Sequence, residues 1–299
     1  MMTCTCGSLL TYSNLTFNEI NYNYFKCNNC GYIETTPSNN IEFDIYETGH
    51  YEVKPYFYIP VLINLADFII SVLSIKQLKI SLNSSFLDFG CGKGYFLYFL
   101  KKIGFTKLAG VETSVSRASF ARKITNIDIA SDFYTGGTIL GKKYDCITMI
   151  HVLEHIKNPF IFLNTLLGSA LNDKGIIYIE VPNINSISSK IAGTTWAHFT
   201  PHFHTNHFTV NVFKEYCILN NYEYKLVSTF SFYNSAMGMT SAMLSLFSYK
   251  GSIFEDLKRK KIHIVISFVL FLPFTLLAEA LVSLFLNKGS VIKFAIKNR

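Results

Sequence analysis

The stretch FLDFGCGKG (residues 86–94) decides the fold of this chain. It reads as a short apolar strand that runs into a turn with glycine at every second position. Glycine tolerates positive φ angles and lets a ligand approach the backbone closely. The dinucleotide fingerprint G-x-G-x-x-G would need glycine at position 95, where Tyr95 stands. The spacing, with Asp88 two residues ahead of the first glycine, therefore predicts a ligand without a pyrophosphate and disfavours a dehydrogenase.

Predicted strands and helices alternate around this turn. The predicted strands are residues 85–89, 107–111, 127–130, 144–150 and 175–181, and the predicted helices are residues 56–80, 95–103, 116–123 and 159–171. Repeated strand–helix units with apolar strands predict an α/β fold with a parallel sheet covered by helices on both faces. Ligands of such sheets bind at the carboxyl ends of the strands, so the residues that follow the strands are the site candidates.

Acidic and aromatic residues follow the next two strands. Glu112 ends the second strand, 24 residues past Asp88, where a carboxylate can accept hydrogen bonds from both hydroxyls of a ribose. Asp132 and Phe133 follow the third strand and suit an adenine ring. Each of these features alone is weak evidence for a site, since a glycine-rich turn is more often a plain tight turn. The glycine turn, Glu112 and the Asp132-Phe133 pair together, at three successive strand ends, predict an adenosine site.

With these residues in place, the chain resembles the class I S-adenosylmethionine-dependent methyltransferases over residues 56–232. The matching stretches are FLDFGCGKG, LAGVE (residues 108–112), the Asp132-Phe133 pair and residues 144–183. The resemblance implies a Rossmann-like, seven-stranded, mostly parallel sheet in which a sixth strand (residues 222–230) and a last strand (residues 290–296) are neighbours. The resemblance also implies roles in cofactor binding. Glu112 would bind the ribose, Asp132 and Phe133 the adenine, and His151 and Val152 would line the cofactor pocket. The residues of the glycine turn would contact the methionine end, namely Asp88, Gly90, Cys91, Gly92 and Gly94.

Two cysteine pairs stand near the N-terminus, Cys4 with Cys6 and Cys27 with Cys30, separated by 20 residues. Thiolate zinc sites commonly use two such pairs, each in a tight turn, which predicts a zinc-ribbon-like segment over residues 1–36. The first pair is C-x-C where C-x-x-C is usual, so free thiols are the alternative. The segment resembles the zinc-binding N-terminal part of bacterial methyltransferases that act on sugars and surface glycans.

Histidines are concentrated in residues 196–209, which hold four of the eight in the chain. A hydroxyl acceptor must lose a proton on methylation, and histidine is the side chain suited to take it near neutral pH. The H-x-x-H-F-T ending resembles a loop of the glycan methyltransferases, which makes His204 and His207 the first base candidates. His155, beside Glu154, is the second. Metal binding and purely structural hydrogen bonding, with His207 capping the following helix, are the alternatives.

The net charge of +7 is confined to the ends of one apolar run, residues 262–286. Residues 1–257 carry 19 basic and 19 acidic side chains, while residues 258–299 carry eight basic ones and the single acid Glu279. This distribution disfavours nucleic acid as a partner and favours a membrane surface. Pro273 is expected to break the run into two pieces too short to cross a bilayer, which favours a hairpin lying on the membrane. Burial in this chain or in a homodimer, and a true span, are the alternatives.

The sequence thus predicts an S-adenosylmethionine-dependent methyltransferase in four parts. These are a zinc ribbon (1–36), a methyltransferase domain (37–230), an apolar helical insertion (231–288) and the final strand of the sheet (289–299). The expected acceptor is a sugar or glycan precursor of cell-surface polysaccharide, which is free or lipid-linked. A lipid or quinone acceptor and a non-catalytic adenosine-binding module are the alternatives. Because residues 1–6 show no secretory pattern, we expect a cytoplasmic enzyme at the inner face of the membrane.

Overall fold

The computed structural model of the chain describes residues 3–39 and 59–298, and for residues 59–64 and 258 it describes the backbone alone. These residues form two compact units. Among the described residues, the cysteine unit comprises residues 3–39, 182–213 and 228–293, and the sheet unit comprises residues 59–181, 214–227 and 294–298. The units are interleaved along the chain, and the predicted division into four consecutive parts stays a prediction.

The strands and helices follow in chain order. The strands are β1 (Leu10–Phe17), β2 (Ile20–Cys27), β3 (Ile33–Pro37), β4 (Phe86–Phe89), β5 (Leu108–Val111), β6 (Asp128–Ala130), β7 (Tyr144–Ile150), β8 (Leu171–Pro182), β9 (Asn206–His207), β10 (Glu223–Ser228) and β11 (Val291–Lys297). The helices are α1 (Ile59–Lys76), α2 (Tyr95–Lys102), α3 (Val115–Thr125), α4 (Pro159–Ser169), α5 (Ile187–Ala192), α6 (Val210–Leu219), α7 (Tyr233–Leu246), α8 (Ile253–Lys258) and α9 (Ile262–Leu286). Residues 56–58 of the predicted helix 56–80 lie outside the described residues.

The sheet unit is built on a seven-stranded sheet of order β10-β11-β8-β7-β4-β5-β6. Strand β4 pairs in parallel with β5 and β7, and the pairs β5–β6 and β7–β8 are parallel as well. The side chains of α1 and α2 pack on one cluster with Phe86 and Tyr178, and those of α2 and α3 pack on another with Ile129. The predicted α/β fold is therefore confirmed, including the last strand as the neighbour of the sixth.

The cysteine unit contains a second, four-stranded sheet of order β1-β2-β3-β9. Strands β1 to β3 form an antiparallel meander, and β9, some 170 residues further along the chain, adds to its edge by pairing with β3. Thr209, just after β9, donates its hydroxyl hydrogen to the carbonyl oxygen of Cys30 at 2.6 Å, and its hydroxyl accepts from the backbone of Val212 to cap α6. The capping role considered for His207 thus belongs to Thr209.

Helix α9 is one continuous helix of 25 residues with Pro273 inside it. The expected break at Pro273 is wrong, and so is the hairpin that was expected from it. Proline removes one backbone hydrogen bond of the helix, at a cost of about 3 kcal/mol. Contacts on both sides of Pro273 offset this cost, because Ile264 before it and Thr275 and Glu279 after it are all buried.

Glu279 is fully buried on the inner face of α9. Its carboxylate accepts a hydrogen bond from the backbone of Ser290 at 3.1 Å and a short one from the Ser290 hydroxyl. Burial raises the pKa of Glu279 to about 7, although the hydrogen bonds from Ser290, Ser188 and Ser235 act in the opposite direction. This carboxyl group ties α9 to the start of β11.

We expect Glu279→Gln to remove a pH dependence of stability. The raised pKa means that the folded state holds the Glu279 proton more tightly than the unfolded state does, so stability is lost as the pH rises from about 4.5 to about 7. Over that window the loss amounts to about 3 kcal/mol in the wild type, and the variant should not show it. Denaturant unfolding at pH 5 and pH 8 measures the difference. The exposed Glu19→Gln serves as the control, and equal pH dependence in all three proteins would contradict the expectation.

Candidate functional site

The glycine turn after β4 adopts a conformation that suits glycine. Gly90, Gly92 and Gly94 have φ angles of 74°, 57° and 76°, in the left-handed region. A β-carbon on Gly90 would stand 2.4 Å from Cγ2 of Val152, whereas a β-carbon on Gly92 would meet open space. The turn therefore packs tightly against Val152 at its start and is open at its middle.

Glu112 joins this turn to the next strand end. One of its carboxylate oxygens accepts a hydrogen bond from the backbone of Gly92 at 2.9 Å. The other accepts from the backbone of Ser114 at 2.8 Å and from the Arg117 guanidinium at 2.8 Å. A carboxylate offers about four acceptor positions, so one of them is left for a ligand while the three bonds persist. Glu112 thus fixes the turn and still has the chemistry to hold a hydroxyl.

A cavity of about 470 Å³ lies at the carboxyl ends of the strands of the sheet unit. It is lined by Phe89, Gly90, Val111, Glu112, Thr113, Arg117, Phe133, Tyr134, Ile150, His151, Val152, His155, Ile156, Lys157 and Phe162. One wall is aromatic, because the rings of Phe89, Tyr134 and Phe162 pack edge to face with centroids 5.2–6.0 Å apart. A flat heterocycle fits such a wall.

The structure brings six of the predicted residues to this cavity: Gly90, Glu112, Phe133, His151, Val152 and His155. Asp88, Cys91, Gly92 and Gly94 are not among its lining residues, and Asp132 is exposed. Asp88 is buried and accepts a hydrogen bond from the Thr148 hydroxyl at 2.7 Å. Burial raises the pKa of Asp88 to about 7, against the effect of the Thr148 bond and with a further increase from the charge of Glu112.

His151 lies at the wall of the cavity between two carboxylates. It follows β7 with a φ angle of 55°, which is uncommon for a residue other than glycine. Its Nδ1 lies 3.3 Å from a carboxylate oxygen of buried Glu154, and its Nε2 lies 3.8 Å from Glu180. Burial alone would lower the pKa of His151, but the hydrogen bond to Glu154 and the charges of Glu154, Glu180 and Asp67 raise it above the ordinary value.

Sequence reasoning missed Arg117, Tyr134 and Phe162 as cavity residues. Arg117 stands five residues after Glu112 on the first turn of α3, so its pairing with that acid had a local signal. Phe162 had no such signal in the sequence, because it lies in an apolar run of α4 whose pattern is that of any buried helix.

The other two base candidates lie in the cysteine unit. His207 is buried in β9, its ring stacks on Phe199 with centroids 4.8 Å apart, and its Nε2 is 3.3 Å from the Thr35 hydroxyl. His204 is half-buried, and its Nδ1 donates to the backbone carbonyl of His198 at 2.8 Å. The lone pair of a neutral His204 ring is therefore on Nε2.

The four N-terminal cysteines come together in the cysteine unit. The sulfur atoms of Cys4 and Cys30 are 3.4 Å apart, as are those of Cys6 and Cys27, and all four lie within 4.8 Å of one another. Zinc–sulfur bonds of about 2.3 Å in a tetrahedron place sulfur atoms about 3.8 Å apart, which falls inside this range. The residues therefore fit a zinc ion, and the short C-x-C spacing does not prevent it.

Comparison with known proteins places this geometry in a family. A family model described as "Methyltransferase domain" matches residues 65–228. The chain belongs to that family. The match covers the glycine turn, Glu112 and His151, and the domain is of the class I S-adenosylmethionine-dependent type. The predicted enzyme class and cofactor are confirmed.

Individual relatives of this methyltransferase are distant. The mitochondrial ubiquinone biosynthesis O-methyltransferase of Dictyostelium discoideum is 28% identical over 117 residues, which are 34% of this chain and 36% of that protein. The chain thus matches about a third of that relative's length. A structure of the plantazolicin methyltransferase BpumL with a pentazolic substrate analog and SAH is 20% identical, covering 81% of this chain and 86% of that one, with a TM-score of 0.48. Coclaurine N-methyltransferase bound to N-methylheliamine and SAH is 15% identical, covering 82% and 75%, with a TM-score of 0.47.

Proposed function

We propose that this methyltransferase transfers the methyl group of S-adenosylmethionine to a hydroxyl oxygen, with His151 as the base. The observation that carries the proposal is the His151–Glu154 pair at the wall of the cavity that Glu112 and the glycine turn define. A hydroxyl is a weak nucleophile until its proton is removed, and a carboxylate that orients an imidazole is a common way to supply the base.

Some residues of the cavity bind the cofactor, and His151 accepts the proton. When bound, S-adenosylmethionine supplies a methyl group that is already a good electrophile. Glu112 accepts from the ribose, and the aromatic wall of Phe89, Tyr134 and Phe162 packs against the adenine. With Nδ1–H donated to Glu154, the neutral His151 ring carries its lone pair on Nε2. The acceptor proton passes to this nitrogen as the oxygen–methyl bond forms and the sulfur–methyl bond breaks.

For the acceptor, we propose a sugar or glycan precursor. Support comes from the resemblance of the H-x-x-H-F-T stretch, residues 204–209, to a loop of glycan methyltransferases and from a cavity of about 690 Å³ in the cysteine unit. That cavity is lined by five asparagines, two aromatic rings, two lysines and no carboxylate. Amides and aromatic rings are groups that hydrogen-bond and stack on sugars, and lysines suit their phosphates.

A quinone or lipid acceptor is the second candidate. It is favoured by the Dictyostelium relative, which is named for an O-methylation in ubiquinone biosynthesis, and by the exposed apolar residues of α9.

A panel of probe acceptors separates the sugar from the quinone-like acceptors, with UDP-glucose and GDP-mannose for the sugars and 3,4-dihydroxybenzoate for phenols. Formation of S-adenosylhomocysteine and a product 14 mass units heavier identifies the acceptor class. Tight S-adenosylmethionine binding with no turnover on any probe or cell extract would instead support a non-catalytic module.

We expect His151→Gln to lower kcat by about 100-fold or more, since a positioned base typically contributes 10²–10⁴. Glu154→Gln should retain part of the rate and move the acidic limb of the pH–rate profile to lower pH, because removal of the carboxylate lowers the pKa of His151. The measurement is kcat against pH with saturating acceptor. His263→Gln, at an exposed position on α9, is the matched control. If His155→Gln or His204→Gln loses the rate while His151→Gln keeps it, the base has been assigned to the wrong histidine.

A further inference from the structure

Helix α9 buries mainly polar residues and exposes most of its large apolar ones. A helix on the surface of a soluble protein buries its apolar stripe and exposes its polar one. The buried residues of α9 are Ile264, Thr275, Glu279 and Ser283, of which three are polar. Ten large apolar side chains of α9 are 47–73% exposed, namely Ile262, Ile266, Val269, Leu270, Phe274, Leu277, Leu281, Leu284, Phe285 and Leu286.

Specific partners in the cysteine unit fix this orientation. Glu279 is bound by the backbone and the hydroxyl of Ser290, and Ser283 is bound by the hydroxyl of Thr229 at 2.9 Å. Turning the apolar side inward would break these bonds and leave Glu279 without them. These hydrogen bonds therefore fix the rotation of the helix, and the apolar face must point outward.

Ten exposed large apolar side chains on one helix are unusual for a soluble monomer. A helix of 25 residues is about 37 Å long. At the end of α7, Leu246 and Phe247 are exposed apolar side chains as well, at 71% and 74%. Soluble monomers rarely expose contiguous apolar patches of more than a few hundred Å², and larger ones mark sites of interaction.

Positive charges stand at both ends of this face. Arg259, Lys260 and Lys261 precede α9, Lys288 follows it, and all four are exposed. Lys261 is paired with Asp256 at 2.8 Å, so Arg259, Lys260 and Lys288 carry the charge available to a partner. Between them the only ionisable side chain besides His263 is Glu279, which is buried. An apolar face bounded by cations is complementary to the acyl chains and the negative headgroups of an anionic bilayer.

We propose that α9 lies flat in the interface of an anionic lipid bilayer, with its apolar face in the lipid and its polar stripe on the protein. Its length and composition would also allow it to cross a membrane. The packing argues against crossing, since Ala278 of α9 shares a cluster with Trp196, Met239 and the β1 residue Leu15. A spanning α9 would carry these elements and their polar neighbours into the hydrocarbon, where exposed backbone groups are not tolerated.

Flotation of the full chain with vesicles tests the proposal and does not depend on catalysis. We expect binding to vesicles of phosphatidylcholine with 30% phosphatidylglycerol and weaker binding, by about 10-fold or more, to phosphatidylcholine alone. The double variant Phe274→Glu/Leu277→Glu should lose about 100-fold or more in partitioning, because two exposed apolar anchors are replaced by charges. The matched control is Ile161→Glu/Ile218→Glu, two exposed apolar residues of the sheet unit, which should bind as the wild type does.

Three outcomes would overturn the proposal. The first is wild-type protein that stays monomeric and fails to bind either vesicle. The second is a homodimer by light scattering that the Phe274/Leu277 variant dissociates, without vesicle binding, since a second copy would then cover the face. The third is protein that does not exchange between vesicle populations, because a spanning helix is effectively irreversible while an interfacial one is not. Retained methyltransferase activity and circular dichroism of each variant show that the chain has folded.

Discussion

Replacing Glu112 with alanine is expected to weaken S-adenosylmethionine binding by about 100-fold or more. Glu112 lines the cavity and is 2% exposed, and its carboxylate holds the backbone of Gly92 in the glycine turn. The variant loses the charged acceptor for the ribose, and each hydrogen bond to a charged group contributes about 1.5–3 kcal/mol. It also frees the turn and leaves Arg117 without its carboxylate partner at 2.8 Å. Isothermal titration calorimetry with S-adenosylmethionine and S-adenosylhomocysteine measures the effect.

Asp132→Ala is the matched control for this prediction. Asp132 was also assigned to the cofactor from the sequence, but it is exposed and does not line the cavity. We expect its replacement to change the Kd by less than about threefold, as for surface substitutions away from special features. Equal losses in the two variants would mean that the cavity geometry described here is not that of the bound state.

We propose that the four clustered cysteines hold zinc, and we expect loss of the metal to unfold the four-stranded sheet of the cysteine unit. Cys27→Ser should reduce bound zinc from one ion per chain to less than a tenth of that, since a structural zinc site supplies about 10–16 kcal/mol of apparent binding free energy that a small sheet cannot replace. The backbone amides of β1 to β3 should then exchange with solvent as in an unfolded segment. Metal analysis by mass spectrometry and hydrogen–deuterium exchange measure the two effects.

The control for the zinc prediction is Cys217→Ser. Cys217 is fully buried at a distance in sequence from the cluster, and its replacement removes a thiol without touching the four sulfurs. It should keep its zinc and the exchange protection of β2. A wild-type protein purified without zinc, and unaffected by added zinc, would show that the cysteines are plain thiols.

The local patterns of the sequence predict most of the sheet unit. Strand β7 was expected at residues 144–150 and is found there, because a run of buried apolar residues needs no distant information to be recognised. The glycine turn and Glu112 were also predictable, since their chemistry depends on position at a strand end. The two residues predicted to contact the adenine differ in the structure. Asp132 and Phe133 are adjacent in sequence, but only Phe133 lines the cavity.

What the sequence could not predict depends on contacts between distant residues. The pairing of Ile33 with His207 joins segments 174 positions apart, and no periodicity within either segment signals it. His151 was predicted as a cofactor contact. Its pairing with Glu154, three residues further on, is local, but its proximity to Glu180 requires the folded β8. Helix α9 continues through Pro273 because side chains on either side of it are held by the rest of the unit, which a local rule about proline does not include.

The position of β11 sets the order in which the enzyme is completed. This strand lies inside the sheet, between β10 and β8, and is made from residues 291–297, directly after α9. Residues 291–297 follow α9 in the chain, so the sheet gains this interior strand only after α9 has been made. Because Glu279 of α9 is hydrogen-bonded to Ser290 directly before β11, a change at the anchored face of the helix acts on an interior strand of the catalytic sheet.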